Sequence, residues 1–167
     1  MNTAWVRTLI ALGALLVLGG INLAIVGKER IRRDGEIFYL ELAPVDPRSL
    51  MQGDYMALRF ALVRTLERND ENDGTPHPNG ETRFARVTLD AQRVARVAAP
   101  AAPDAAAPLR LRYRMRGGRV WLGTNAFFFE EGTAGRFSGA RYGEFRVDRA
   151  SGEAVLVGLR DAALRPM

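Results

Sequence analysis

The sequence predicts a mainly β protein: a single N-terminal transmembrane helix followed by a small antiparallel β domain that contains one short helix. Three observations carry this. An uncharged run of 19 residues, TLIALGALLVLGGINLAIV, lies between Thr8 and Val26. Beyond it the chain breaks into short apolar or alternating segments separated by glycine, proline and polar residues. One break, Gly117-Gly118, follows a clean alternation of apolar residues and arginines. With 167 residues there is room for one modest domain beside the helix. The expected division is a membrane anchor with its basic flank at 1–33, a β-rich domain at 34–161 and a C-terminal tail at 162–167.

A helix crosses the hydrocarbon core with about 20 mostly apolar residues and satisfies its own backbone while doing so. Thr8 to Val26 meets that length, with Thr8 and Asn22 as its only polar side chains. A cleaved signal peptide is the competing reading, but its apolar core runs about 7–15 residues and ends at a small-x-small site. Here the run ends in LAIVGKERIRR, so an uncleaved anchor is expected. Residues 1–33 carry Arg7, Lys28, Arg30, Arg32 and Arg33 against Glu29 alone, while the remainder sets 19 arginines against 18 acids. The excess positive charge therefore lies beside the membrane, where acidic lipid attracts it, and no nucleic-acid partner is expected. The basic flank favours a cytoplasmic domain by the positive-inside rule. A short leader, one anchor and a β-rich remainder suit an exported one. The absence of cysteine allows either compartment.

Past the flank, EIFYLEL (Glu36 to Leu42) has the aromatic and branched residues of a strand, and the two prolines of APVDPRS turn the chain. In YMALRFALV, Tyr55 to Val63, the apolar residues Met56, Leu58, Phe60 and Leu62 share one parity, which predicts a strand; Met, Ala, Leu and Arg also accept a short helix. ERNDENDGTPHPNGE, Glu67 to Glu81, reads as a long surface excursion. FARVTL and RVARV predict two strands joined by DAQ, and APAAPDAAAP is a small-residue linker with few core anchors. Leu109, Leu111, Tyr113 and Met115 alternate with four arginines before the Gly-Gly turn, and Val120 and Leu122 resume the apolar face after it. AFFFEEG predicts another strand, Thr133 to Arg141 the short helix, and EFRVD with EAVLVGL two final strands.

The residue inventory excludes much chemistry. Without cysteine there is no thiol nucleophile or Cys-containing zinc site. His77, the sole histidine, lies in the polar loop TPHPNG, far from any nucleophile-elbow pattern. Ser49 would need a lysine partner for dyad chemistry, and the sole lysine, Lys28, sits at the membrane flank. Arginine, protonated throughout, does not replace it. A site using Asp54 with Glu130 or Glu144 requires those carboxylates to converge. The adjacent pair Glu130-Glu131 would point to opposite faces of a strand. Phe127, Phe128 and Phe129 are read as core packing in preference to a recognition patch, and Arg110 to Arg116 as a solvated strand face.

The run PVDPRSLMQGDYMALRF resembles the signature of the GDYxxLxY family: Gly53, Asp54, Tyr55 and Leu58 match, and Phe60 replaces the last tyrosine. FFFEEG (Phe127 to Gly132), ARYGEFRVD (Ala140 to Asp148) and GEAVLVGLRD (Gly152 to Asp161) are similar to the family's C-terminal pattern. The resemblance covers Glu36 to Asp161. Gly53, Asp54, Tyr55, Leu58 and Phe60 are read as a structural motif, in which Gly53 and Asp54 shape a corner and Tyr55, Leu58 and Phe60 tie the following segment into the domain. Asp54, Phe129, Glu130, Glu131, Gly132, Arg141, Tyr142, Gly143 and Glu144 are the candidate functional or interaction residues. The resemblance also implies a bacterial inner-membrane protein with an extracytoplasmic domain, often encoded near multipass membrane proteins, in a family without an established activity. The leading expectation is a non-enzymatic, membrane-anchored accessory or interaction protein with lipid and a multipass protein as partners, and no cofactor or metal. No oligomeric state follows. The alternatives are a carboxylate-based hydrolase or metal-dependent enzyme using Asp54 with Glu130 or Glu144, and a ligand-binding β domain using its aromatic and arginine-bearing surface.

Overall fold

The computed structural model describes residues 3–43, 51–52, 55–73, 78–98 and 108–167. Helix α1 (Thr3–Asp34) is one unbroken element of 32 residues. At 1.5 Å per residue it is about 48 Å long, more than the hydrocarbon thickness of a bilayer. The large apolar side chains of its uncharged run are exposed all round, from Ile21 at 51% to Leu23 at 76%, as a lipid-facing helix requires. The apolar stretch is therefore long enough to anchor the chain in a membrane.

The last two turns of α1 are instead held by the β domain. Ile31 is buried, the Arg146 guanidinium donates to the Arg33 carbonyl at 2.6 Å, and Lys28 pairs with Glu153. Arg32 and Arg33 lie in the last turn, where the helix dipole favours positive charge. A single residue, Gly35, separates α1 from β1 (Glu36–Glu41). A Cβ there would collide with the Ile31 carbonyl and press on Arg146 Cβ at 3.0 Å, so the close exit from the helix requires glycine.

β1 pairs antiparallel with β9 (Tyr142–Val147), and β9 with β10 (Ala154–Arg160), with a bulge between Leu156 and Gly158. A second sheet has the order β5-β4-β6-β7, built from β4 (Thr82–Leu89), β5 (Ala95–Val97), β6 (Leu109–Arg116) and β7 (Arg119–Trp121). The parallel bridge Tyr39–Val94 joins the two sheets. On the far side, the Arg112 amide donates to the Gly152 carbonyl at 2.7 Å, so the β9–β10 turn reaches back to β6 and the sheets curl into a half-barrel. Gly152 has φ +69°, and a Cβ on it would lie 2.9 Å from the Arg110 carbonyl oxygen. Both facts make it a turn position for glycine. A small third sheet, β2-β3-β8, is formed by β2 (Met51–Gln52), β3 (Tyr55–Ala57) and β8 (Ala126–Phe128). Between β8 and β9 lies a 3-10 helix (Ala134–Phe137), within the span expected for the short helix. The centre of the core is the fully buried set Phe38, Leu40, Val87, Leu111, Phe145, Val147 and Leu159, each such side chain contributing roughly 1.5–3 kcal/mol on burial.

The β6–β7 hairpin follows the expected alternation. Leu109, Leu111, Tyr113, Met115, Val120 and Leu122 are buried, and Gly117 and Gly118 both take positive φ. Two expectations are corrected. The predicted strand from Tyr55 to Val63 ends at Ala57, and helix α2 (Ala61–Asp73) begins four residues later. Glu67 to Asp73, read as a loop, belongs to that helix. Leu62 and Leu66, four apart, bury one face of α2 against β1, β5 and β7, while the polar residues cover the other. Two acids of the supposed loop hold tertiary contacts: Asp70 pairs with Arg83 at 2.6 Å, and the Glu67 carboxylate accepts from the Val120 amide at 3.1 Å. Burial, with the Asp70 carboxylate alongside, raises the pKa of the Tyr113 phenol.

Glu36 clamps the start of β1 between Arg149 of the β9–β10 turn and Arg93 of the β4–β5 connection, the latter at 2.7 Å. The hydrogen bond from Arg149, above all, holds its carboxyl below the ordinary value of 4.5. A carboxylate depressed in the folded state adds stability above its unfolded pKa, and that stability is lost as pH falls through the folded value. Melting temperatures of the detergent-solubilised chain are therefore expected to fall below about pH 4.5. The Glu36→Gln variant should show a shallower fall. Equal acid slopes in the two proteins would remove Glu36 from the account.

Candidate functional site

Of the residues that carry the family signature, Leu58 and Phe60 enter the core, and Phe60 meets the C-terminal pattern there. Gly53 and Asp54 lie outside the described residues, as do Ser49 and His77. Tyr55 pairs in register with Phe128, their ring centroids 5.8 Å apart. The Leu58 amide donates to the Asn125 carbonyl at 2.6 Å, and its side chain is buried. Phe60 bridges to Leu42 and sets its ring edge-on to Phe145 at 5.3 Å, with Phe38 stacked on Phe145 at 5.6 Å. Gly143 leaves the space for this: a Cβ would come within 2.9 Å of the Phe60 ring and 3.1 Å of the Phe145 ring. The aromatic end of QGDYMALRF and the glycine of ARYGEFRVD are thus two halves of one packing contact.

The remaining nominated residues separate. Phe127 and Phe129 pack on Phe137 at 5.2 and 5.4 Å, but Phe128 is 74% exposed, so only part of the aromatic run enters the core. Glu130 and Glu131 are exposed in a turn after β8, not on a strand, and Gly132 closes that turn at φ +80°. Arg141 is exposed; its backbone accepts from Leu42 and donates to Arg160. Tyr142 lies opposite Glu41 and Arg160. Glu144 is the one buried charged residue among those described, and Arg160 grips it with two nitrogens. Neither Glu130 nor Glu144 lines the cavities described next. Among the described residues, no group of three or more His, Cys, Asp or Glu side chains is placed to hold a metal ion.

Beside the signature residues lies a cavity of about 860 Å³. Leu58, Phe60, Val63, Val120 and Leu122 supply apolar wall, and four arginines, Arg59, Arg64, Arg116 and Arg119, also line it. Arg116 lies over the Trp121 ring at 4.7 Å. Among the described residues, none of the four has an ion pair. A smaller cavity of about 200 Å³ shares Arg116, Trp121 and Leu122 with the first and extends to Lys28, Arg112 and Glu153. Sequence reading placed the arginines of β6 on a solvated face. That holds where Arg110 covers Phe84 at 4.2 Å, and gives way where Arg112 pairs with Glu153 at 3.0 Å. Arg59, Arg64 and Arg119 carry no signal in the sequence, because sequence distance does not reveal that the β3–α2 connection, α2 and β7 share a cavity.

These features define a membrane-associated protein with a β domain packed directly on the end of its anchor helix. The family model described as GDYXXLXY protein matches residues 17–159, and the chain belongs to that family. The match starts at Val17 and so includes the C-terminal half of α1, whose last two turns dock on the domain. No curated protein and no solved structure matches the chain.

Proposed function

We propose that this chain is a non-enzymatic, single-pass accessory protein of a bacterial inner membrane. In this reading residues 1–33 anchor an extracytoplasmic domain (34–161) with a short tail (162–167), and α1 associates with a multipass membrane protein. The observation that carries it is the docked end of α1: Ile31, the Arg146–Arg33 bond and the Lys28–Glu153–Arg112 chain of charges hold the domain at one orientation to the helix. A domain held this way presents a constant face at the bilayer and raises its effective concentration toward a neighbour in the same plane. The partner class is the one that the family resemblance implies. Gly13, Gly20 and Gly27 recur every seven residues along α1, with nothing within 4 Å of a Cβ at any of them. Small residues on one face let another helix approach closely.

Photo-crosslinkers at Val17 and Ala24, on the glycine face, should trap a multipass protein in native membranes. Crosslinkers at Leu15 and Leu18, on the opposite face, should trap mainly lipid. No protein adduct at either face would overturn the accessory reading. Protease accessibility in sealed membranes of each orientation tests the side on which the domain lies.

A further inference from the structure

We infer that the arginine-rimmed cavity between β3, α2 and β7 binds an acidic phospholipid drawn from the adjacent bilayer, with its phosphate on the guanidiniums and its acyl chain on the apolar wall. The inference rests on the membrane placement of α1 but not on a multipass partner, so either can fail alone.

Charge is the first argument. Arg59, Arg64, Arg116 and Arg119 reach one cavity and have no carboxylate partner among the described residues, and the only acid in the described wall, Glu67, is bonded to the Val120 amide. Four like charges at one concavity repel unless an anion offsets them, and the planar guanidinium fork matches phosphate oxygens two at a time. The second argument is polarity: behind the arginines the wall is apolar, including Leu58, Val63 and Leu122. A bare inorganic anion would leave that surface unused, whereas an amphiphile covers it. The volume, about 860 Å³, is within the usual range of ligand sites, roughly 300–1,000 Å³.

Position selects the source. Lys28 stands two residues after Val26, the end of the uncharged run, and so sits at headgroup level. The smaller cavity leads from Lys28 past Arg112 to Arg116 and Trp121, which also line the larger one. Glu153 pairs with both Lys28 and Arg112, but Arg114 and Arg116 also line this cavity, so the path from the foot of the helix keeps a net positive charge toward a lipid headgroup. Trp121, with its apolar ring and polar N–H, is of the residue type that favours this interface.

The test uses the full chain with Trp5→Phe, so that Trp121 is the only indole, delipidated and held in phosphatidylcholine nanodiscs. Emission is followed while short-chain phosphatidylglycerol, short-chain phosphatidylcholine, glycerol phosphate or a polyglutamate peptide is added. Phosphatidylglycerol should bind at least about tenfold more tightly than each of the others. The Arg64→Gln, Arg119→Gln double variant should lose about tenfold or more of that affinity, as expected when charged hydrogen bonds are removed. Both arginines are exposed and unpaired among the described residues, so its melting temperature should match that of the parent. Equal binding of glycerol phosphate would overturn the lipid assignment in favour of a soluble anion. Tighter binding of polyglutamate would overturn it in favour of an acidic protein segment. No response to any ligand, or undiminished binding by the double variant, would overturn the site itself.

Discussion

Replacing Phe60 by alanine is expected to destabilise the domain by about 3–5 kcal/mol, the cost of removing a buried phenyl ring and leaving its cavity. The ring is 2% exposed and lies between Leu42, Phe145 and Gly143. Gly143→Ala should also destabilise, by about 1–3 kcal/mol, because the new methyl enters the same space from the other side. The double variant gives the sharper result. With the ring gone, the methyl has room, so the combined loss should fall short of the sum by about 1 kcal/mol or more. Denaturant unfolding of the detergent-solubilised chain, followed by near-UV circular dichroism, measures all three. Strict additivity would mean that the two family segments do not act as one packing unit.

The second large effect concerns Glu144, which sequence reading offered as a catalytic carboxylate. Its side chain is 9% exposed and that of Arg160 21%, and removing one member of such a pair strands the other charge in a poorly solvated place. Glu144→Ala should therefore cost about 3 kcal/mol, toward the low end for buried pairs because Arg160 keeps some access to water. Replacing both by apolar residues, Glu144→Leu with Arg160→Met, should restore most of the loss. A single-variant cost below about 1 kcal/mol, in the range of exposed pairs, would refute the structural account of this residue.

How far the sequence could be read depended on whether one physical signal dominated locally. The β6–β7 hairpin was legible because its alternation, its two glycines and its length all ask for the same structure. The passage from β3 into α2 was not. Met56, Leu58, Phe60 and Leu62 are all buried, as the period-two reading required, yet they occupy a strand, a kink and the first turn of a helix. Apolar residues at every second position satisfied all three. The body of α2 was hidden by its own chemistry: ERNDEND shows almost nothing apolar because Leu62 and Leu66 already supply the buried stripe. For the candidate site, the aromatic contact of Phe60 was anticipated as packing, whereas its partner Gly143 was recognised only through resemblance. The arginine cavity was illegible because its arginines come from the β3–α2 connection, α2, β6 and β7, and the curl of the sheets that joins them is a long-range property.

The one-residue junction at Gly35 also fixes an angular relation between the anchor and the domain. Each residue of an α-helix turns the chain by about 100°. Inserting one residue between Val26 and Lys28 would leave the docked turns in place but swing the glycine face of α1 through about 100° in the membrane plane. Four inserted residues would bring it back to within about 40°. The length of the anchor thus works as a compass bearing as well as a depth gauge. It determines which neighbour in the bilayer faces the cavity, independently of how deeply the chain is embedded.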